Sequence, residues 1–382
     1  VSAQPPAAAA GTNTVIHAAW SPGEVRIAVI AERVLLDYAL WRPGTPDGFG
    51  DIHRGRVTAV VPAMAGAFLA IGGTEDAFLP DSEGAKGMTE GTILTVRVTR
   101  AAQSGKGPRV SGKIESAGDG PIGLVRLGED PLHELAARYP GAPVLIDDPG
   151  LAATLRASLG PRVRVVPRAF DDALEAWVEA LAEPEVTLPS GVRLAIWPTP
   201  ALVSIDVDTG AALSAGGRPA SAEQRHRALN EAALPALARQ IRLRNLSGAI
   251  LVDFAGMRVK QRGTLARSLA AALSRDPMRP RFLGFTQLGL AEILRPRGRA
   301  PLHEAMAGPL AAGLAALRAV AAAVRADPGA RPVLRAAPPV VAALEADSVA
   351  LADAARSLGQ RLTIRSDPSF SAGTWRLEDH NG

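Results

Sequence analysis

The spacing of hydrophobic positions changes several times along this chain, and each change marks a different kind of element. Asn13–Ala19 and Val25–Tyr38 are apolar, strand-like runs parted by Ser21-Pro22-Gly23, which predicts a hairpin. Residues 43–48 read as a linker. Between 49 and 116 come five short runs separated by Gly-bearing turns: Arg54–Val61, Gly66–Ile71, Asp76–Leu79, Thr92–Thr99 and Arg109–Lys113. Short strands at this density predict a small barrel of the OB type. Residues 117–129 are a connection. Helical spacing then predicts helices over 130–139, 148–159 and 170–181, with short strands at Val144–Ile146 and Val163–Val166.

From 184 onward, longer strands alternate with helices. Val186–Leu188, Val192–Trp197 and Leu202–Asp208 read as strands. Ser221 and Gln224 form a candidate capping box for a helix running to about Arg244, which Pro235 should kink. Strand Ala249–Phe254, helix Lys260–Arg275 and strand Phe282–Thr286 complete a β-α-β-α-β pattern, predicting a parallel sheet covered by helices. Beyond 300 the pattern predicts one helix over 302–325, strand Pro332–Ala336, helix Pro338–Ala346 and a final strand pair near 360–377.

A length of 382 residues allows two or three domains, and 47% hydrophobic with 21% charged residues is ordinary for a globular protein. Residues 1–12 are Ala/Pro-rich without a basic start or apolar core, and read as a disordered tail rather than a signal peptide. The chain has no Cys, which excludes disulfides and thiolate metal sites. Ala305–Val324 is apolar, but Gly308, Pro309 and Arg318 interrupt it; it reads as a packed helix rather than a membrane span. The expectation is a cytoplasmic protein. A formal charge of +4 says little about partners, and the placement of the charges says more.

Asp253 ends the run Ala249-Ile250-Leu251-Val252, with Arg239, Arg242, Arg244, Arg258, Lys260, Arg262 and Arg267 around it in sequence. Upstream, Leu202–Asp208 alternates so that Ser204, Asp206 and Asp208 share one face. A right-handed crossover would lay the second strand beside the first. The acids would then meet at strand carboxyl ends, where open α/β sheets place ligands. Carboxylates gathered there would suit Mg²⁺ or Mn²⁺, with Arg242, Arg244, Arg258 and Lys260 holding phosphate. A single Asp at a strand end ordinarily serves as a turn or cap residue, and the basic run also fits the solvated face of a helix. In the barrel segment, Phe68 and Phe78 fall in consecutive strands and offer stacking surfaces for bases. Lys106, Arg109 and Lys113 flank the later loop as phosphate contacts, although either Phe alone also fits the barrel core.

These pieces in this order resemble the bacterial ribonuclease E/G family. The resemblance is closest over Ala201–Gly210, Ala238–Gly248 and Ile250–Phe254. It extends through Gly55-Arg56-Val57, Ala67-Phe68, Phe78-Leu79-Pro80, Gly105-Lys106-Gly107, Val144–Pro149 and Leu188–Gly191. It implies an α+β/α/β multidomain fold. Its parts would be an RNase H-like subdomain (13–48 and 130–182), an inserted OB-fold RNA-binding domain (49–116), a vestigial 5′-sensor connection (117–129), a DNase I-like catalytic subdomain (183–300) and a small C-terminal domain (301–382). It further implies a Mg²⁺-dependent endoribonuclease acting on single-stranded RNA. Asp206 and Asp253 would be metal ligands and Asp208 a third catalytic residue, standing where the family usually has Asn. Phe68, Phe78 and Lys106 match positions that contact RNA.

Three departures stand out. Without Cys there is no zinc-link, so any homodimer is not linked by zinc. Only Gly123-Leu124-Val125-Arg126 resembles the 5′ sensor, with Leu127 in place of Thr. Gln287 replaces a usual Arg. Two other readings stay open: a non-catalytic RNA-binding protein, and a Mg²⁺-dependent phosphatase using Asp206 as nucleophile.

Overall fold

The computed structural model describes residues 13–378 except 74, 104, 117 and 211–221, so the N-terminal tail and Ser221 lie outside the described residues. The chain forms two compact units. One takes the residues up to 45, 131–296 and 301 onward; the other takes 46–130 with 297–300.

The first unit opens with β1 (Val15–Ser21), β2 (Glu24–Ala31) and β3 (Val34–Trp41), an antiparallel meander. The run expected as one strand over Val25–Tyr38 is thus two strands. They are parted by Glu32-Arg33 at φ of 50° and 61°, the positive-φ pair of a type I′ turn. Neither residue type signals such a turn.

In the second unit, β4 (Ile52–Val61) pairs with both β5 (Gly66–Ala70) and β7 (Ile93–Arg100). Between those two lie β6 (Ala77–Pro80) and β8 (Arg109–Ser111), which close a five-stranded barrel. Alternation sends Val57, Leu69, Leu79, Val96 and Val110 inward as its core. The barrel is compatible with the expected OB fold. Residues 123–126, read as connection, form β9 (Gly123–Arg126) on the edge of β4. Residues 297–300, expected to end the 183–300 subdomain, group with the barrel unit.

The first unit resumes with α1 (Pro131–Arg138), β10 (Val144–Ile146), α2 (Pro149–Leu159), β11 (Val163–Val165) and α3 (Asp172–Glu179). β10 and β11 join the opening strands in the order β11-β10-β1-β2-β3. Asp148 and Asp171 cap α2 and α3 by accepting the amides of Leu151 and Leu174 at 2.6 and 2.8 Å.

A second sheet follows, built from β12 (Glu185–Thr187), β13 (Arg193–Pro198), β14 (Val203–Asp208), β15 (Gly248–Phe254), β16 (Arg281–Phe285) and β17 (Ala291–Arg295). Its order is β12-β13-β14-β15-β17-β16. The parallel sheet predicted here is corrected: of the pairings, β14–β15 alone is parallel. β17, which the sequence did not reveal, inserts antiparallel between β15 and β16. α4 (Ala222–Leu243) runs through Pro235 as one element, and the helix expected over Lys260–Arg275 is broken into α5 (Val259–Arg262) and α6 (Ala266–Leu273). These helices cover one face only. Val203, Ile205, Val207, Ile250, Val252 and Phe254 pack against Leu234, Leu237, Ile241, Leu269 and Leu273, each large side chain contributing about 1.5–3 kcal/mol by burial. The other face keeps exposed and half-exposed positions along β13, β14 and β15.

The chain ends in α7 (Leu302–Ala305), α8 (Gly308–Ala326), β18 (Val333–Ala336), α9 (Pro338–Ala346), α10 (Ser348–Leu358), β19 (Thr363–Ser366) and β20 (Trp375–Glu378). Met306 and Ala307 part the two helices expected as one, and Gly308, at φ 84°, opens the second. Among the described residues, α8 is the helix long and apolar enough to cross a membrane by length and composition; its Leu314, Leu317 and Val320 are buried in a core with β18, α9 and α10.

Candidate active site

Two acids face one another across the parallel pair. Asp206 of β14 and Asp253 of β15 are register partners, so their Cα atoms lie one strand spacing apart, about 4.8 Å. Both project from the open face, because Val207, Val252 and Phe254 take the inward positions. The strand ends are tied together behind them. Ala255 N donates to Val207 O at 3.1 Å, and the buried Asn230 donates to Ala255 O at 2.9 Å. Thr209 Oγ1 meets His226 Nδ1 at 2.8 Å. His226 lies against Gly256 (φ 69°), where a Cβ would collide with the imidazole ring. His226 and Asn230 belong to no motif that the sequence offers.

The three aspartates are in different electrostatic states. Asp208 is held by Arg193 at 3.0 Å and accepts the Gly210 amide at 2.8 Å; the amide first and Arg193 second keep its carboxyl below the usual range. Asp253 accepts from Arg262 Nη1 at 2.5 Å, while Arg262 also donates to Met257 O and Gly289 O. Asp206 has no hydrogen-bonded cation among the described residues. Partial burial, then the charges of Asp253 and Asp208, push its carboxyl above the usual value. An acid held charged beside other acids is relieved by a cation, and hard divalent ions take carboxylate oxygens. The pair therefore fits a Mg²⁺-type ion bound through one or two carboxylates and water. Among the described residues no group of three or more His, Asp or Glu comes close enough to bind a metal, so Asp208 stands apart from the pair.

Because the folded state raises the Asp206 pKa, the folded protein binds that proton more tightly than the unfolded chain. The charge therefore costs stability above the folded pKa, and the cost vanishes as pH falls below the unfolded value. In EDTA at neutral pH, Asp206→Asn is expected to raise Tm slightly, on the order of 1–2 °C, since water screens an exposed acid. The gap should close as pH approaches 3.8, the ordinary value, and narrow when Mg²⁺ is added. Thermal melts at both pH values with and without Mg²⁺ check this; a melting point below wild type in EDTA counts against uncompensated repulsion.

The basic residues divide sharply. Arg258 and Lys260 are exposed just beyond the end of β15, with Glu223 the nearest acid to Arg258 at 3.9 Å. Arg242 and Arg244 are corrected. They lie at the far end of α4, inside the fold. Arg242 donates to Asp37 at 2.8 Å and to Leu36 O at 2.8 Å; Arg244 donates to Glu183 O at 2.6 Å and to Gln240 at 3.1 Å. Neither is free to take a phosphate.

In the barrel unit, Phe68 and Phe78 are neighbours on β5 and β6, half-exposed, with ring centroids 5.4 Å apart and tilted by 60°. The same row continues to the exposed Arg109 on β8 and then to Arg100 on β7. Arg100, missed in sequence, has its pKa lowered by burial and by the nearby charges of Arg109 and Arg297. Among the described residues no acid forms an ion pair with that cluster, which lies beside the Phe78 strand. Lys106 is exposed at the turn of a small hairpin formed with Gln103. Lys113 is exposed but leans towards Glu83 at 3.6 Å.

Comparison with known proteins finds likeness over the segment that holds this sheet and its paired acids. Residues 162–298 match the model of the Ribonuclease E/G family. It is 36% identical over 141 residues to Ribonuclease G of Haemophilus influenzae, 36% over 132 residues to Ribonuclease E of Nostoc sp. and 34% over 141 residues to Ribonuclease G of Escherichia coli K12. These alignments take in 35%, 34% and 35% of this chain and 26%, 19% and 27% of the relatives. The chain thus matches about a quarter of the length of the curated relatives.

Proposed function

We propose that this protein is an endoribonuclease acting on single-stranded RNA, with a divalent cation, Mg²⁺ or Mn²⁺, held by Asp206 and Asp253. The observation that carries the reading is the pair itself: two acids in register on adjacent parallel strands, on an open face, within the segment that matches the ribonuclease E/G model. When bound, the cation supplies charge stabilisation at the phosphoryl oxygens and a more acidic water. The protein's own groups do the rest. Arg262 orients Asp253, Arg193 holds Asp208 away from the pair, and Arg258 and Lys260 draw the phosphate to the strand ends. In the barrel, Phe68 and Phe78 stack bases while Arg109, Arg100, Lys106 and Lys113 track the backbone. In-line attack leaves a 5′-phosphate and a 3′-hydroxyl. The finer layout proposed with this function is an RNase H-like subdomain around β1–β3, a DNase I-like catalytic subdomain around β14 and β15, and an OB-fold insertion.

The test is metal removal. End-labelled single-stranded RNA incubated with the protein in Mg²⁺ should be cut internally, and the same reaction in EDTA should leave it intact while binding persists. Binding without cleavage at any Mg²⁺ or Mn²⁺ concentration would leave an RNA-binding protein. A stable phosphoryl group on Asp206 would indicate a phosphatase instead.

A further inference from the structure

Across the open face, side chains lie in rows. Ala195, Asp206 and Asp253 form one row, and Trp197, Ser204 and Leu251 form the next. The second row continues to Glu292 on β17. Trp197 faces Ser204 directly and is the diagonal neighbour of Asp206, at about 7–8 Å between backbones. It is 53% exposed, and among the described residues it makes no ring–ring or cation–π contact. Small side chains flank it, Ala195 two residues earlier on its strand and Ser204 across β14, with Leu251 next in the row. An indole so placed is a flat, unpartnered platform one step from the acid pair.

Resting on the nuclease reading, we infer that Trp197 is a base-stacking subsite that seats the nucleotide adjoining the phosphate held at Asp206 and Asp253. The chemistry selects the occupant. Beyond the strand ends stand Arg258 and Lys260, which suit phosphate; then comes the acid row, which suits a cation bridging to phosphate; then the indole, which suits a planar ring. A single-stranded polynucleotide presents an anionic backbone and flat rings at that alternation, whereas a duplex keeps its rings stacked inside. The sheet would thus bind bases independently of the barrel and position the scissile bond.

The experiment measures RNA affinity in EDTA with cleavage switched off by Asp253→Asn. A fluorescent RNA oligomer is compared with a set in which one position at a time is abasic. Adding Trp197→Ala is expected to weaken binding of the intact oligomer about tenfold, with Trp197→Phe recovering most of the loss. At one abasic position the proteins with and without the Trp197→Ala change should bind equally. Equal affinities on the intact oligomer overturn the proposal, as does a loss that is the same at every abasic position. A shift from dimer to monomer on Trp197→Ala, read by light scattering without RNA, overturns it too and assigns the indole to a second copy. Cleavage by the unmodified protein in Mg²⁺ is read separately. Trp197-dependent binding without cleavage would uphold the subsite and sink the nuclease reading.

Discussion

Replacing Asp253 by Asn is expected to lower Mg²⁺-dependent RNA cleavage by about 10³-fold or more while leaving RNA binding in EDTA intact. The size follows from what the carboxylate does. A cation at a reacting phosphate is worth several kcal/mol of charge stabilisation, and about 4 kcal/mol corresponds to 10³ in rate. Asn keeps the shape and one oxygen but removes the charge that would hold the ion against water. The fold should tolerate the change. Asp253 is half exposed, and Arg262 keeps its bonds to the carbonyls of Met257 and Gly289. The measurement is single-turnover cleavage of labelled RNA beside a binding titration and a thermal melt. Loss of binding in parallel with cleavage, or retention of cleavage within a few fold, would remove Asp253 from the site.

The acid pair was legible in the sequence because strand alternation has a period of two. Val203, Ile205 and Val207 must face a core, so Ser204, Asp206 and Asp208 face away, and the crossover helix between two apolar runs makes the strands parallel. The third member did not follow. Sharing a face did not bring Asp208 to the acid pair, because Arg193, its partner across β13–β14, and the Gly210 amide hold its carboxylate. β17 was hidden by its own charges. Glu292 and Arg295 break the apolar pattern of a five-residue strand, yet Arg295 is buried and bonded to Asp276 at 2.7 Å. Trp197 closes a largely apolar run in which Arg193, four residues earlier, is the single charge on its face. The register places it on the outer face, since Leu194 and Ile196 point inward. In each case local pattern gave the element, and a partner distant in sequence decided what the side chain does.

Arg242 makes the same point with a measurable consequence. In sequence it belongs to a basic run near Asp253; in the fold its guanidinium meets Asp37, some two hundred residues away. The same carboxylate takes Arg138 at 3.2 Å and the Tyr139 hydroxyl. Burial works against the Arg242 charge, but Asp37, joined by Tyr139 and Asp276, more than offsets it and holds the pKa above the ordinary value. Removing one partner of a buried ion pair costs about 3–5 kcal/mol, because the remaining charge is left short of compensation. Arg242→Ala is therefore expected to lower Tm by roughly 6–12 °C or more. It should leave the salt dependence of RNA binding unchanged at a temperature where the variant is folded. Arg109→Ala is the comparison. An arginine exposed beside the barrel's aromatic pair should affect stability little and flatten the slope of log K against log salt by about 0.7, the release of one phosphate contact on a single strand. A flattened slope for Arg242→Ala with an unchanged melting point would return that residue to the RNA surface and contradict the buried network.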